Sequence, residues 1–139
     1  IMKDENCIFC KLANGDIPTA TVYEDEYLRA IMDAAPANKG HIIILPKSHA
    51  ANIYELEDEY VSRAFVLAKK LAVALKKLTG CDGVNILQNN GEAAGQTVFH
   101  FHVHVIPRFK DDDCTIVWKP TSYEDGEASE VAKKIAELL

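Results

Sequence analysis

Three of the five histidines in the chain lie in one short apolar segment, at alternate positions. The segment reads HFHVHVIP, with His100, His102 and His104 separated by Phe101 and Val103. Alternate side chains of a β-strand share a face, so we expect the three imidazoles on one side. Near neutral pH an imidazole can act as nucleophile, general acid, metal ligand or hydrogen-bond donor to phosphate. A row of three therefore favours a functional site over a purely structural arrangement.

The other face of the same strand is predicted to be an ordinary core face. It would carry four apolar side chains, namely Phe99, Phe101, Val103 and Val105. The spacing argues against one metal ion held by all three imidazoles, because His100 and His104 would have Cα atoms about 13 Å apart. Separate roles along one ligand are the better interpretation, and phosphoryl chemistry suits them: one nitrogen attacks while other groups neutralise the oxygens.

The loop before the histidines supplies further hydrogen-bond donors. It contains Asn89, Asn90, Gly95, Gln96 and Thr97. Small, polar and glycine-containing loops let backbone N–H groups approach an anion. Joined directly to the histidine segment, this loop favours a phosphate-binding site.

Cys7 and Cys10 form a C-x-x-C pair, which alone is compatible with zinc ligands, ordinary thiols or a redox pair. His49 and His100 are available to complete a Cys₂His₂ set, a common closed zinc site. Cys81 and Cys114 stand alone and are expected to be ordinary, partly buried thiols. Four cysteines without a disulfide pattern, and an N-terminus without a secretory signal pattern, predict a cytoplasmic protein.

The elements that must position these residues form an antiparallel α+β pattern. One long helix is predicted over 54–78, followed by Gly80 as its stop. Its apolar stripe consists of Leu56, Tyr60, Ala64, Leu67, Leu71, Leu75 and Leu78. Extended runs are predicted at 16–25, 26–33, 41–48, 83–90, the histidine segment and 114–119, with a helical turn at 7–15 and a terminal helix at 129–139. The short loop 91–95 predicts that its two flanking strands form an antiparallel hairpin.

Length and charge exclude several classes of protein. The 139 residues predict one domain over 1–139, and no apolar run reaches the roughly 20 residues of a membrane span. The net charge is −6, and residues 111–139 hold eight acidic side chains against three lysines. Without a basic stripe, polymeric nucleic acid is not an expected partner, whereas a small phosphorylated ligand needs only local donors.

The segment HFHVHVIP resembles the signature of the histidine triad (HIT) superfamily of nucleotide hydrolases and transferases. CIFCKLANGDIPTATVYEDE, HIIILPKSH and NILQNNGEAAGQTVFHFHVHVIPRF resemble its bacterial Hint-like branch in order and spacing. The similarity covers about 7–109, and nothing is carried over to the acidic extension 110–139. The resemblance implies a HIT-like domain with about five antiparallel strands, one long helix and a C-terminal helix. It also implies a homodimer with two sheets joined edge to edge.

The resemblance assigns a role to each catalytic candidate. His102 would attack the α-phosphate to form a nucleotidyl-imidazole, its tautomer fixed by a backbone carbonyl that we expect to be that of His100. His104 would contact the phosphate or the leaving group. Gln96 and Thr97 would lie near the bridging atom. No metal is required for this chemical step.

The resemblance also assigns binding residues. Asn89 and Gly95 would lie on the phosphate side, and Asp33 would accept the ribose hydroxyls; a strand-end turn residue is the alternative for Asp33. The base pocket would be lined by Ile8, Phe9, Leu12 and Ile31. Several bacterial members have the same two cysteines with such histidines, which implies a structural zinc held by Cys7, Cys10, His49 and His100. His41 is left as a structural or supporting residue.

These roles predict an enzyme that hydrolyses purine nucleoside 5′-phosphoramidates or related AMP or GMP derivatives. Hydrolysis of dinucleoside polyphosphates is the alternative within the family, because it uses the same nucleophile. A nucleotide- or zinc-binding module without turnover is the alternative outside enzymology, and a metal-storage protein is a third. The intact histidine row argues against a pure binder, and the spacing supports one metal rather than several.

Overall fold

A computed structural model describes residues 1–139 as five antiparallel strands with three helices. The strands are β1 (Thr21–Glu24), β2 (Leu28–Met32), β3 (Ile42–Pro46), β4 (Gly83–Leu87) and β5 (Val103–Arg108). The helices are α1 (Ile8–Ala13), α2 (Asp58–Thr79) and α3 (Glu127–Glu137), and a 3₁₀ turn covers Glu92–Ala94. The sheet order β1-β2-β3-β5-β4, with every pair antiparallel, confirms the predicted α+β class.

Helix α2 packs against the sheet and supplies one side of the main core. Its buried face consists of Tyr60, Ala64, Leu67, Ala68, Leu71 and Leu75. The helix begins at Asp58 rather than at 54, because Asn52 holds the N–H groups of Tyr54 and Glu55 in a preceding turn. Gly80 ends the helix in the left-handed conformation (φ 67°), as predicted. Leu78 was wrongly included in the stripe: it is 83% exposed.

The histidine segment is only partly a strand. Pairing of β3 with β5 ends at Ile44 and Val103, so His100 and His102 lie just before β5 and only His104 lies within it. Phe101, Val103 and Val105 are fully buried, as the alternation predicted. Phe99 was wrongly assigned to the core: the chain bends over 98–100, and this ring is 52% exposed.

The chain after β5 departs from the sheet. No strand forms at 114–119, contrary to the sequence prediction, because Asp111 adopts a left-handed turn (φ 66°) and no strand lies alongside. Helix α3 begins at Glu127, two residues before the predicted start at 129. Strands β4 and β5 pair antiparallel as predicted, with Leu87 opposite His104, but their connection covers residues 88–102 and is not the short loop 91–95 that was predicted. None of the helices is long and apolar enough to cross a membrane.

The contrast between Phe101 and Phe99 gives a stability test. Phe101→Ala removes a fully buried ring and is expected to lower the free energy of unfolding by about 3–5 kcal/mol. Phe99→Ala is the matched control and is expected to cost under about 1 kcal/mol. Urea denaturation of both variants measures this, and equal losses would contradict the assignment of the two faces.

Candidate active site and metal cluster

His102 is held by the backbone of its own segment. Its Nδ1–H donates a hydrogen bond of 2.7 Å to the carbonyl oxygen of His100. In the neutral ring Nε2 is then unprotonated, and its lone pair is free. Nε2 has no hydrogen-bond partner in the protein. The ring is buried and meets the ring of Phe9 edge-on at 4.8 Å. Burial lowers the pKa of His102, which favours the neutral ring that a nucleophile requires.

His104 is oriented by a chain of hydrogen bonds that begins at a backbone N–H. Ala37 donates to Nδ1 of His41 at 3.0 Å, so the proton of the His41 ring lies on Nε2. That Nε2–H donates to Nδ1 of His104 at 2.9 Å. The proton of a neutral His104 must then lie on its own Nε2. His104 therefore offers Nε2–H as a defined donor. Its ring centroid lies 4.9 Å from that of His102.

The sequence pattern did not predict that His41 orients His104. It was expected only as a structural or supporting residue, whereas the structure places it in direct contact with a triad histidine. The sequence around His41 carries no local signal for this contact, because the contact depends on the pairing of β3 with β5, in which Ile43 lies opposite His104. The neighbouring Asp33 lies 3.5 Å from Nε2 of His41.

Asp33 lies immediately after β2, at the edge of a cavity of about 360 Å³. Its Oδ1 accepts the N–H of Ala35 at 2.8 Å, and its side chain is 22% exposed, so the carboxylate keeps accessible acceptor positions. The cavity is mostly apolar and is lined by Phe9, Leu12, Pro18, Thr19, Ala20, Ile31, Met32, Asp33, Ala34 and Ile43. Three of the four predicted base-pocket residues are therefore brought together. Ile8 is not among them and is 48% exposed.

The loop before the histidines has a firm internal support. Gln96 is buried: its amide donates to the carbonyl oxygens of Ala51 (2.6 Å) and Val98 (3.1 Å) and accepts the N–H of Gly91 (2.8 Å). These bonds occupy the side chain in shaping the loop, so contact between Gln96 and a substrate stays a prediction. Thr97, by contrast, is exposed, and its hydroxyl has no protein partner.

Asn89 and Gly95 are neighbours in this loop. Gly95 has φ 96°, and a Cβ at that position would lie 3.4 Å from the Asn89 amide nitrogen. The left-handed conformation favours glycine, whereas a separation of 3.4 Å is an ordinary van der Waals contact that a Cβ could make. The structure therefore places Asn89 against Gly95, and contact of either residue with a phosphate stays a prediction.

Four further side chains converge on a point beside the triad. Nδ1 of His100 lies 3.4 Å from Sγ of Cys7, 3.5 Å from Sγ of Cys10 and 3.2 Å from Nδ1 of His49. Sγ of Cys10 lies 3.3 Å from Nδ1 of His49. A tetrahedral zinc with Zn–N near 2.1 Å and Zn–S near 2.3 Å spaces its ligand atoms about 3.3–3.8 Å apart. The four residues can therefore hold one metal ion with little rearrangement.

The surroundings of this cluster orient its ligands. Nε2–H of His100 donates to the carbonyl of Pro46 at 2.9 Å, so the unprotonated Nδ1 faces the two sulfurs. Burial lowers the pKa of His100 to about 4, which keeps the ring neutral as a metal ligand requires. Burial raises the pKa of the Cys10 thiol, so a cation is needed to stabilise its thiolate.

Asp33, His41 and His104 form a second group of potential metal ligands. The hydrogen bond from Ala37 argues against a metal there. A metal on Nε2 of His41 would move the ring proton to Nδ1, where it would face the N–H of Ala37. The hydrogen-bonded neutral pair fits these contacts better than a metal site.

The fold and site define the class of protein. The chain matches the HIT domain over residues 14–111, and it belongs to the HIT family. It is 44% identical to Protein hit of Bacillus subtilis over 97% of this chain and 95% of the relative. It is 39% identical to the adenosine 5′-monophosphoramidase of Saccharomyces cerevisiae, over 88% of this chain and 75% of the relative.

Solved structures give the same result for the fold. A HIT family protein from Bacillus anthracis superposes with a TM-score of 0.91 at 42% identity, covering 97% of this chain and 98% of the other. A zinc-bound histidine triad family protein from Mycobacterium smegmatis has a TM-score of 0.74 at 33% identity, covering 96% and 95%. Coverage of this extent includes most of the segment after β5.

The contacts of His104 give a test by pH titration. Burial, followed by the neighbouring rings of His102 and His41, lowers the pKa of His104 to about 4, although Asp33 opposes the shift. The ring should stay neutral in the folded protein down to about pH 5, whereas an unfolded histidine titrates near 6.5. Its contribution to stability is therefore fully present above pH 6.5 and is lost as the pH falls toward 4.

NMR titration of the imidazole C–H signals, assigned with a His104→Gln variant, measures this pKa. A midpoint near 6.5 for His104 would contradict the burial and the neutral hydrogen-bonded pair.

Proposed function

We propose that the chain hydrolyses purine nucleoside 5′-phosphoramidates, or related AMP or GMP derivatives, through a covalent intermediate on His102. The hydrogen bond from Nδ1 to the His100 carbonyl carries this proposal, because it leaves an unprotonated Nε2 with no competing partner. Phe9 contacts the His102 ring and also lines the cavity beside Asp33, so the nucleophile adjoins the space for a nucleoside.

Two displacements complete the reaction. In the first, Nε2 of His102 attacks the α-phosphorus, the P–N bond breaks, and the leaving amine takes a proton from solvent. In the second, water attacks the phosphorus, the bond to His102 breaks, and the nucleoside monophosphate leaves while the proton of the water passes to solvent. Nε2–H of His104 is a fixed donor for a phosphate oxygen during both steps.

The binding residues fit a nucleoside monophosphate. The Asp33 carboxylate would accept the ribose hydroxyls, and Phe9, Leu12 and Ile31 would surround the base. The hydroxyl of Thr97 and the amide of Asn89 would donate to the phosphate or leaving group. The name of the yeast relative, an adenosine 5′-monophosphoramidase, supports an amine as the leaving group.

Turnover of adenosine 5′-phosphoramidate tests the proposal. His102→Ala removes the nucleophile and is expected to lower kcat at least about 10³-fold. Tyr54→Ala, at a side chain 83% exposed, is the control and should keep wild-type kcat. Equal kcat for His102→Ala and wild type would contradict the role of His102. Faster cleavage of a dinucleoside polyphosphate by wild type would favour the alternative substrate, and no cleavage of either would favour a binding module.

We also propose that Cys7, Cys10, His49 and His100 hold one structural zinc ion. The ligand spacing and the Pro46 hydrogen bond support this, as does the zinc-bound relative. Bound zinc would supply a cross-link between α1, the end of β3 and the residues before β5. His102 and His104 are outside the ligand set, so the chemical step uses no metal.

Metal analysis of protein purified without chelator tests the zinc site. About one zinc per chain is expected for wild type, and Cys7→Ser should lose it because a weaker oxygen ligand replaces a thiolate. Cys114→Ser is the matched control, since Cys114 lies outside the cluster, and it should keep its zinc. Less than about 0.2 zinc per wild-type chain after zinc is supplied would contradict the site.

A further inference from the structure

Cys7 and Cys10 are placed so that their sulfurs can bond to each other as well as to a metal ion. Cys7 precedes the first residue of α1, and its carbonyl accepts the N–H of Lys11, so the two cysteines share one helical turn. Cα atoms three residues apart in such a turn are about 5 Å apart, within the roughly 4.4–6.8 Å that a disulfide needs. The two sulfurs already lie within 4.8 Å of each other. A disulfide can therefore form without unfolding α1.

Backbone contacts hold both sulfurs in place. The N–H of Cys10 donates to Sγ of Cys7 at 3.3 Å, and the N–H of Asp4 donates to Sγ of Cys10 at 3.5 Å. A thiolate that binds a metal ion is also the nucleophile of thiol–disulfide exchange. The arrangement that presents this pair to zinc therefore also presents it to an oxidant.

A small molecule can reach both sulfurs. Cys7 is half-buried, and Cys10, although only 4% exposed, lines a cavity of about 340 Å³ beside α1. The side chains of this cavity are nearly all polar and carry both signs of charge: Lys3, Asp4, Glu5, Cys10, Lys11, Asn14 and Asp16. Such a lining suits a small zwitterion with carboxylate and ammonium groups better than an apolar ligand.

Helix α1 connects the cysteine pair to the proposed active site. Phe9 lies between the two cysteines in sequence, and its ring centroid lies 4.8 Å from that of His102 and 6.2 Å from that of His100. His100 is itself one of the four converging ligands, and its carbonyl holds the ring of His102. A change in bonding at the two sulfurs therefore acts on residues that contact His102.

We propose that Cys7 and Cys10 are a reversible modification site, at which a small zwitterionic disulfide oxidises the pair to a disulfide and displaces the metal ion. The proposal rests on the zinc site proposed above and does not depend on the hydrolase activity. After oxidation only the imidazoles of His49 and His100 remain as ligands. Two neutral ligands hold zinc more weakly than a set that includes two thiolates.

The exchange proceeds in two steps. Sγ of Cys7, the more accessible sulfur, attacks one sulfur of the small disulfide, whose S–S bond breaks as one small thiolate leaves. Sγ of Cys10 then attacks the Cys7 sulfur of this mixed disulfide, and the second small thiolate leaves. The cysteine pair loses two electrons and the small disulfide gains them. Zn²⁺ is released together with two small thiolates, which replace the two protein thiolates, so charge is conserved.

Oxidised glutathione is the probe that tests this proposal on the full, zinc-loaded chain. Residues 4–11 form one tryptic peptide that contains both cysteines. After exposure, acid quenching and alkylation of free thiols with N-ethylmaleimide, this peptide should carry no alkyl group and should be lighter by two hydrogen atoms than the reduced peptide. Metal analysis after desalting should show the loss of one zinc ion for each disulfide formed. Dithiothreitol followed by added zinc should reverse both changes.

Two variants test whether the metal and the oxidant compete for the same sulfurs. His49→Gln removes one ligand and keeps both thiols, so it should form the disulfide at least about tenfold faster than zinc-loaded wild type. Cys114→Ser is the matched control, since Cys114 lies outside the cluster, and it should react at the wild-type rate.

Four results would each overturn the proposal. They are no reaction of the pair, a persistent glutathione adduct in place of the internal disulfide, a disulfide with zinc retained, and equal rates for His49→Gln and zinc-loaded wild type. Absence of zinc from wild type before oxidation would overturn the zinc site together with this proposal. Failure to cleave adenosine 5′-phosphoramidate would contradict only the hydrolase, because peptide mass and zinc content do not depend on turnover.

Discussion

The burial of His100 is the constraint on which the rest of the site depends. Its Nε2–H is satisfied by the Pro46 carbonyl, its Nδ1 faces two cysteines and His49, and its own carbonyl holds Nδ1 of His102. One fully buried residue therefore connects the N-terminal helix, the end of β3 and His102, the proposed nucleophile. A displacement of this residue would move the proposed metal ligands and the His102 ring together.

Backbone groups, rather than charged side chains, set which ring nitrogen carries the proton in His41, His102 and His104. A carbonyl fixes His102 with its proton on Nδ1, and the N–H of Ala37 fixes His41 and through it His104. Burial keeps the triad rings neutral by lowering their pKa values. His102 therefore presents an unprotonated Nε2, and His104 presents an Nε2–H. The two identical side chains differ because their hydrogen-bond partners differ.

Sequence reasoning predicted the elements whose signal is local and missed contacts that tertiary structure decides. The spacing of α2 and the alternation of Phe101, Val103 and Val105 reflect local geometry, and both were recovered. Phe99 continued the alternation in sequence, but pairing with β3 ends before it, so its ring is exposed. His41 showed no pattern, because its contact with His104 depends on the register of two strands distant in sequence.

The predicted gathering of Cys7 and Cys10 with His100 came from a resemblance between whole segments. Spacing alone could not decide it, since 90 positions separate Cys10 from His100 and 93 separate Cys7 from it. The structure brings all four ligand atoms within 4.8 Å of one another. The strand predicted at 114–119 does not form. Its β-branched and aromatic residues gave a local signal, but no neighbouring strand is present to pair with this segment.

The central claim is that His102 forms a covalent bond to phosphorus during turnover. The stereochemical course at a chiral α-phosphorothioate measures this directly, whether or not the intermediate accumulates. Two successive in-line displacements, first by Nε2 of His102 and then by water, predict overall retention of configuration at phosphorus. Inversion would mean a single attack by water and would contradict the account.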